Sequence, residues 1–236
     1  MTFNLPLLVI LCTTVSAVRV GNEAHERAMN GPCGGSFKVV AYGNLGTALT
    51  KEGFQRAAPE PDKNTVVVDP AGMAYIKGDE DPEDAGGASG ALYRRLGLDV
   101  SMPDNVTSGI NKVLDAKYHE YDDFPVIHVV GPQLFRISDE TEAIKQLATA
   151  YYNVLTEFVE SGKTNMRLVP VSSGIFAGDF KNRMPSITHQ SWTQAITRLN
   201  ADQKAQVQRS SIELCIFEER EVESYTRAAE VNCGTA

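Results

Sequence analysis

The chain has 236 residues, 42% apolar and 22% charged, the proportions of one globular α/β domain rather than two. A net charge of −8 with no Lys/Arg stripe excludes a protein that tracks duplex nucleic-acid phosphates. A small phosphorylated ligand stays allowed, because backbone N–H groups hold one without cations.

Leu5 to Ala17 is uncharged and too short to span a bilayer, and it ends in Val15-Ser16-Ala17, the small-residue pattern of a signal-peptidase site. No Lys or Arg precedes it, and a buried N-terminal strand or an uncleaved anchor are the other readings. The expected organisation is a signal peptide over 1–17, a lead-in over 18–35 and one domain over 36–232. A cleaved signal implies the secretory pathway or the extracellular space and no membrane attachment afterwards; the alternative is a cytoplasmic chain. Cys33 and Cys233 are candidates for a disulfide between the two ends of the domain, Cys215 lies in an apolar run and reads as a buried thiol, and Cys12 would leave with the signal. No metal site is expected, since there is no C-x-x-C pair and no ligand-spaced His pair. Asn105-Val106-Thr107 is a glycosylation sequon, relevant only to an exported chain.

Phe37–Tyr42 (FKVVAY) predicts the first strand and Thr65–Val68 (TVVV) a second. The acidic run Asp79–Asp84 is placed in a loop, and Ala91–Leu96 in a short helix. Val126–Val130 (VIHVV) predicts a third strand, stopped by Gly131-Pro132. Over 139–160 the positions Ile144, Leu147, Tyr151, Val154, Leu155 and Phe158 recur at helical spacing, with Ser138 or Asp139 as cap and Gly162 as stop. Arg167–Val171 and Ser211–Phe217 complete the strands, and 185–199 and 218–230 read as helices. Mostly continuous apolar strands alternating with helices predict a mixed, mostly parallel sheet covered on both faces, a three-layer α/β/α arrangement.

Ligands of open α/β sheets bind beyond the C-terminal strand ends. Three stretches there are rich in Gly and Ser: Gly43-Asn44-Leu45-Gly46; Ala85-Gly86-Gly87-Ala88-Ser89-Gly90; and Ser172-Ser173-Gly174-Ile175-Phe176-Ala177-Gly178. The last two contain no Lys or Arg, so an anion there depends on amide donors and a helix dipole. His128, inside an apolar strand, reads as structural.

In order and spacing, VVAYGNLG, VVVDPAGM, GGASGALYRRLG, VIHVVGP, VPVSSGIFAG and IELCIFEE resemble the macro domains, nearest in look to viral and stand-alone members. The resemblance covers roughly 36–230 and implies an ADP-ribose ligand, bound free or on an ADP-ribosylated protein, with no cofactor. Carried over by position, it implies that Asn44 accepts from the adenine amino group and Leu45 supplies a neighbouring N–H. Gly86, Gly87, Ala88, Ser89 and Gly90 wrap the diphosphate and distal ribose. Ser172, Ser173, Gly174 and Ile175 clamp the phosphates with Phe176 over the ribose side, Phe217 packs on adenine or is simply core, and Asp69 or the Gly72 backbone approaches the distal ribose.

The match fails where family members that remove ADP-ribose carry their catalytic groups. The N-A-A-N segment reads Asp69-Pro70-Ala71-Gly72, and the aspartate position of the Gly-rich loop is Ser89. Glycine offers no side chain, and Ser89 lacks a neighbouring base. The expected function is binding, with no catalytic residue; an atypical ADP-ribosyl hydrolase, or a degenerate fold acting through protein contacts, are the alternatives.

Overall fold

The computed structural model describes Cys33 and residues 36–233, without the side chains of Ser36 and Cys233. The expected signal (1–17), the lead-in (18–35) apart from Cys33, and the side chain of Cys233, the pairing partner proposed for Cys33, lie outside what is described. Cys33 itself is buried and disulfide-bonded, and its carbonyl accepts from the Trp192 indole at 3.0 Å.

Six strands form the main sheet in the order β1-β8-β7-β4-β6-β5: β1 (Ser36–Val40), β8 (Ser211–Cys215), β7 (Asn165–Leu168), β4 (Thr65–Asp69), β6 (Phe124–Val129) and β5 (Ala116–Tyr121). All neighbours are parallel except the edge pair β5–β6. A separate antiparallel hairpin, β2 (Thr47–Thr50) and β3 (Gly53–Arg56), follows β1.

Strand alternation decides which layer each residue joins. Val66 and Val68 of β4, with Ile127 and Val129 of β6, face a core built mainly on α4 (Glu140–Ser161), α5 (Met184–Arg198) and α7 (Glu219–Cys233), with Val207 of α6 (Ala201–Arg209). Val67 and Val126 face the opposite way, onto α1 (Met73–Lys77), α2 (Gly87–Leu96) and α3 (Asp104–Gly109). Helices therefore cover both faces, as the continuous apolar strands require.

The long helix α4 starts where its cap predicts, with the Asp139 carboxylate accepting from the Thr141 N–H at 3.1 Å, and stops at left-handed Gly162. Other boundaries differ. The strand expected over Arg167–Val171 is already over at Leu168, because Pro170 has no N–H for the ladder. The helix expected at Ala91 starts four residues earlier, so Gly87, Ala88, Ser89 and Gly90 form its first turn instead of a loop. Within the acidic run, Pro82–Asp84 make one 3-10 turn.

Candidate functional site

Strands β1, β8, β7, β4 and β6 run in one direction, so their C-terminal ends and the three Gly/Ser stretches share one edge of the sheet. Because β7 and β4 are hydrogen-bonded neighbours, the loops after them begin roughly 4.8 Å apart. The loop after β7 then crosses the end of β4. Ser172 Oγ donates to the Pro132 carbonyl at 2.8 Å, joining it to the loop after β6. Gly131 permits this approach, since a Cβ there would lie 2.4 Å from Ser172 Oγ.

The start of α2 lies at the end of β4, where Ser89 meets Pro70. Gly86 is its N-cap with no side-chain cap bond, Gly87 has φ +58°, and both are exposed. The N–H groups of Gly87, Ala88 and Ser89 have no carbonyl one turn back to bond, so they stand at the positive end of the helix dipole. Ser89 is buried, its Oγ donating to the Pro70 carbonyl at 3.3 Å. Gly90 packs so closely that a Cβ would sit 1.8 Å from the Ala85 carbonyl oxygen. Only glycine fits there.

In the second loop Ser172 takes φ +62°, a left-handed conformation costing about 1 kcal/mol, held by its bond to Pro132. Ser173 Oγ donates to the Pro170 carbonyl at 2.8 Å, and the Ala177 N–H to Gly174 at 3.1 Å. Phe176 leans on Phe135 with ring centroids 6.2 Å apart, and Ile175 is 90% exposed. The aromatic expected over the ribose thus has a packing partner, whereas Ile175 stands in solvent.

Asn44 is buried, and its Nδ2 donates to the Val68 carbonyl at 3.1 Å, which leaves Oδ1 as the acceptor the resemblance implies. Leu45 is partly buried in the α1–α3 layer, and its carbonyl accepts from Arg56 Nη1 at 2.8 Å. Phe217 lies against the same loop: a Cβ on Gly43 would stand 3.3 Å from its ring. Phe54 of the hairpin, 78% exposed, stacks obliquely on Phe217 at 5.8 Å, and the Leu49 N–H donates to the Phe217 carbonyl at 2.9 Å. Sequence reasoning missed Phe54 and Arg56. Their only signal is a solvent-facing aromatic and an arginine ten residues past the Gly-Asn-Leu-Gly turn.

The positions tied to hydrolysis hold no acid or base aimed at this edge. At Gly72 an added Cβ would meet the Tyr75 ring at 2.9 Å, so the space of a longer side chain is taken. Asp69, expected near the distal ribose, is instead fully buried under α2. Its Oδ2 accepts from Tyr93 Oη at 2.8 Å and lies 2.7 Å from His128 Nδ1, while His128 Nε2 lies 2.8 Å from Tyr121 Oη. Odd-numbered Asp69 shares the face of Val67, which points away from the α4 layer. Burial and the adjacent Asp69 carboxylate hold the Tyr93 phenol well above its ordinary pKa. His128 is structural, as expected, but the chain of four polar side chains was not foreseen. Among the described residues, no group of three or more His, Cys, Asp or Glu could hold a metal ion. Cys215 is a free, buried thiol whose pKa burial pushes up. Of the two cavities described, one of about 240 Å³ touches the candidate set only at Ser173, between Lys181 and Arg220.

No family model matches the chain. It is 28% identical over 179 residues to Polyprotein P1234 of Venezuelan equine encephalitis virus, covering 76% of this chain and 6% of that protein. To Polyprotein P1234 of O'nyong-nyong virus (strain Igbo Ora) it is 30% identical over 129 residues, 54% of this chain and 5% of that one. The chain therefore spans only 5–6% of the length of these relatives. Among solved structures, "Alphavirus P23pro-zbd" superposes with a TM-score of 0.57 at 19% identity, over 84% of this chain and 24% of that one. The Oceanobacillus iheyensis macrodomain with ADP gives 0.54 at 15% identity, over 83% and 90% of the two chains. The Trypanosoma brucei macrodomain in complex with ADP-ribose gives 0.50 at 14%, over 82% and 68%. Sheet order, the two helical layers and these superpositions agree: this chain has the macro-domain fold.

Proposed function

We propose that the edge formed by α2 and the Ser172–Phe176 loop binds ADP-ribose, free or attached to protein. The observation that carries the reading is the uncapped, glycine-exposed N-terminus of α2, tied by Ser89 to Pro70 at the end of β4. An uncapped helix end offers several N–H donors to one diphosphate, and each bond to a charged group contributes about 1.5–3 kcal/mol. Asn44 Oδ1 and the Phe217 ring, both beside the Gly43–Gly46 turn, suit the adenine at the far end of the ligand. The Oceanobacillus iheyensis macrodomain with ADP and the Trypanosoma brucei macrodomain in complex with ADP-ribose, both of the same fold, support the assignment. Calorimetric titration with ADP-ribose, AMP, ADP and NAD tests it. Tightest binding of ADP-ribose is expected, and no heat above dilution for any of the four rejects the proposal.

The role is binding rather than hydrolysis. Tyr75 occupies the space beside Gly72, and Ser89 Oγ spends its proton on the Pro70 carbonyl. A single-turnover assay on mono-ADP-ribosylated protein should give release no faster than buffer.

A further inference from the structure

The β2–β3 hairpin is fastened to both elements that would hold the base. On one side the Leu49 N–H donates to the Phe217 carbonyl at 2.9 Å; on the other the Arg56 guanidinium donates to the Leu45 carbonyl at 2.8 Å. Just past β3, the N–H groups of Ala57 and Ala58 both donate to the Gly46 carbonyl, at 2.9 and 3.0 Å. Gly46 makes that approach possible, with φ +82° and a Cβ position only 2.5 Å from the Ala58 carbonyl oxygen. The root of the hairpin is therefore fixed against the Gly43–Gly46 turn and the exit of β8.

Register then decides which side chain meets Phe217. Leu49 pairs with Phe54 across the hairpin, so the residue bonded to the Phe217 backbone brings Phe54 alongside. The two rings lie 5.8 Å apart and 35° from parallel, a wedge rather than a closed stack. Phe217 also meets Gly43, the residue before the buried Asn44 amide.

Packing alone does not account for Phe54. A ring placed only to cover Phe217 would itself be covered, whereas Phe54 is 78% exposed and belongs to neither apolar layer. Phe217 is itself only partly buried. A single exposed apolar side chain is ordinary, but two adjoining aromatic rings left wet beside a ligand edge mark a contact surface. The wedge is narrower than a flat heterocycle needs. Stacked carbon atoms rest about 3.5–4.0 Å apart, so a base held between two rings needs about 7–8 Å, and Phe54 must swing outward by about 1–2 Å. Its exposure permits that swing without breaking a bond at the hairpin root.

We propose that Phe54 is the second wall of the base site: it swings out, admits adenine between itself and Phe217, and closes on the outer face of the base. The hairpin is thereby a specificity element, favouring ligands that carry a planar base over sugar phosphates alone. This inference rests on the ADP-ribose reading, and the test separates the two. Calorimetry on the full chain compares ADP-ribose, AMP and ribose 5-phosphate for the wild type, Phe54→Ala and Phe54→Trp. Phe54→Ala is expected to weaken ADP-ribose and AMP about five- to thirtyfold and to leave ribose 5-phosphate within about twofold. Its Tm should stay within about 2 °C, because the lost ring stands mostly in solvent. Phe54→Trp should restore binding, and its indole fluorescence should be quenched by ADP-ribose, against a constant background from the single, buried Trp192. Unchanged nucleotide affinity in Phe54→Ala, equal weakening of all three ligands, or an indole signal that ignores bound ADP-ribose overturns the proposal. If ADP-ribose gives no heat while AMP binds in a Phe54-dependent way, the ADP-ribose reading fails and the second wall stands. If neither nucleotide binds, both fail.

Discussion

Replacing Gly90 by alanine tests whether the ligand-facing turn depends on close backbone packing. An alanine Cβ would begin 1.8 Å from the Ala85 carbonyl oxygen and 2.7 Å from its carbon. Carbon and carbonyl oxygen rest about 3.3–3.6 Å apart, so helix and turn must separate by more than ~1 Å. Overpacking of this kind costs about 1–3 kcal/mol, against roughly 1 kcal/mol regained from alanine's better helix propensity. The net loss of about 0–2 kcal/mol should lower Tm by up to roughly 8 °C in calorimetry. Binding should suffer more. A shift above ~1 Å takes N–H donors out of hydrogen-bond range, weakening ADP-ribose about ten- to a hundredfold by titration. Gly86→Ala is the control: nothing lies within 4 Å of its added Cβ and its φ is −96°, so stability should hold. If Gly90→Ala matches Gly86→Ala in both Tm and affinity, the packing argument is wrong.

Phe217→Ala should weaken ADP-ribose by about tenfold while leaving ribose 5-phosphate unchanged, since stacking on a base contributes ~1–3 kcal/mol; equal losses for both ligands in calorimetry would refute an adenine contact. Ser172→Ala loses the 2.8 Å bond to Pro132 and keeps the left-handed φ of +62°, so a urea midpoint should show a loss of about 1–2 kcal/mol. Ser172→Gly should be the milder change, because glycine takes that conformation without penalty. His189 contributes a pH dependence of stability. Burial lowers its pKa from the ordinary 6.5 to about 4, so the unfolded chain binds its proton first as pH falls. Stability should therefore be full above pH 6.5 and drop between pH 6.5 and 4, by up to about 3 kcal/mol in denaturant titrations. His189→Gln should flatten that decline.

Much of the fold is readable because its strands and long helices have strong periods. TVVV is β-branched at every position, and α4 keeps one stripe over 22 residues between an Asp cap and a Gly stop. The hairpin strand Gly53–Arg56 is not readable: it is four residues long, and Phe54, its large apolar residue, faces solvent. The five and six residues of α1 and α3 complete too few turns to show a period. The start of α2 misleads because glycines read as loop, while here they are the first helical turn, selected by the Ala85 contact. Of the candidate site, the 43–46 and 172–178 stretches were legible from their place after β1 and β7. The use of Asn44 Nδ2 for Val68 was not, nor was the bond between Asp69 and His128, 59 positions apart. Those depend on the register of separate strands, which no local pattern encodes.

The ring of Tyr75 against Gly72 has a consequence for how this scaffold could change. Installing a longer residue at 72 means first vacating the room that the tyrosine fills, so a gain of chemistry at that corner takes two coordinated substitutions. Either one made alone has a cost: an overfilled corner, or the loss of the Tyr75 ring contact with Tyr93. The intermediate sequences are less stable than either end, which tends to keep the chain on the near side of that step.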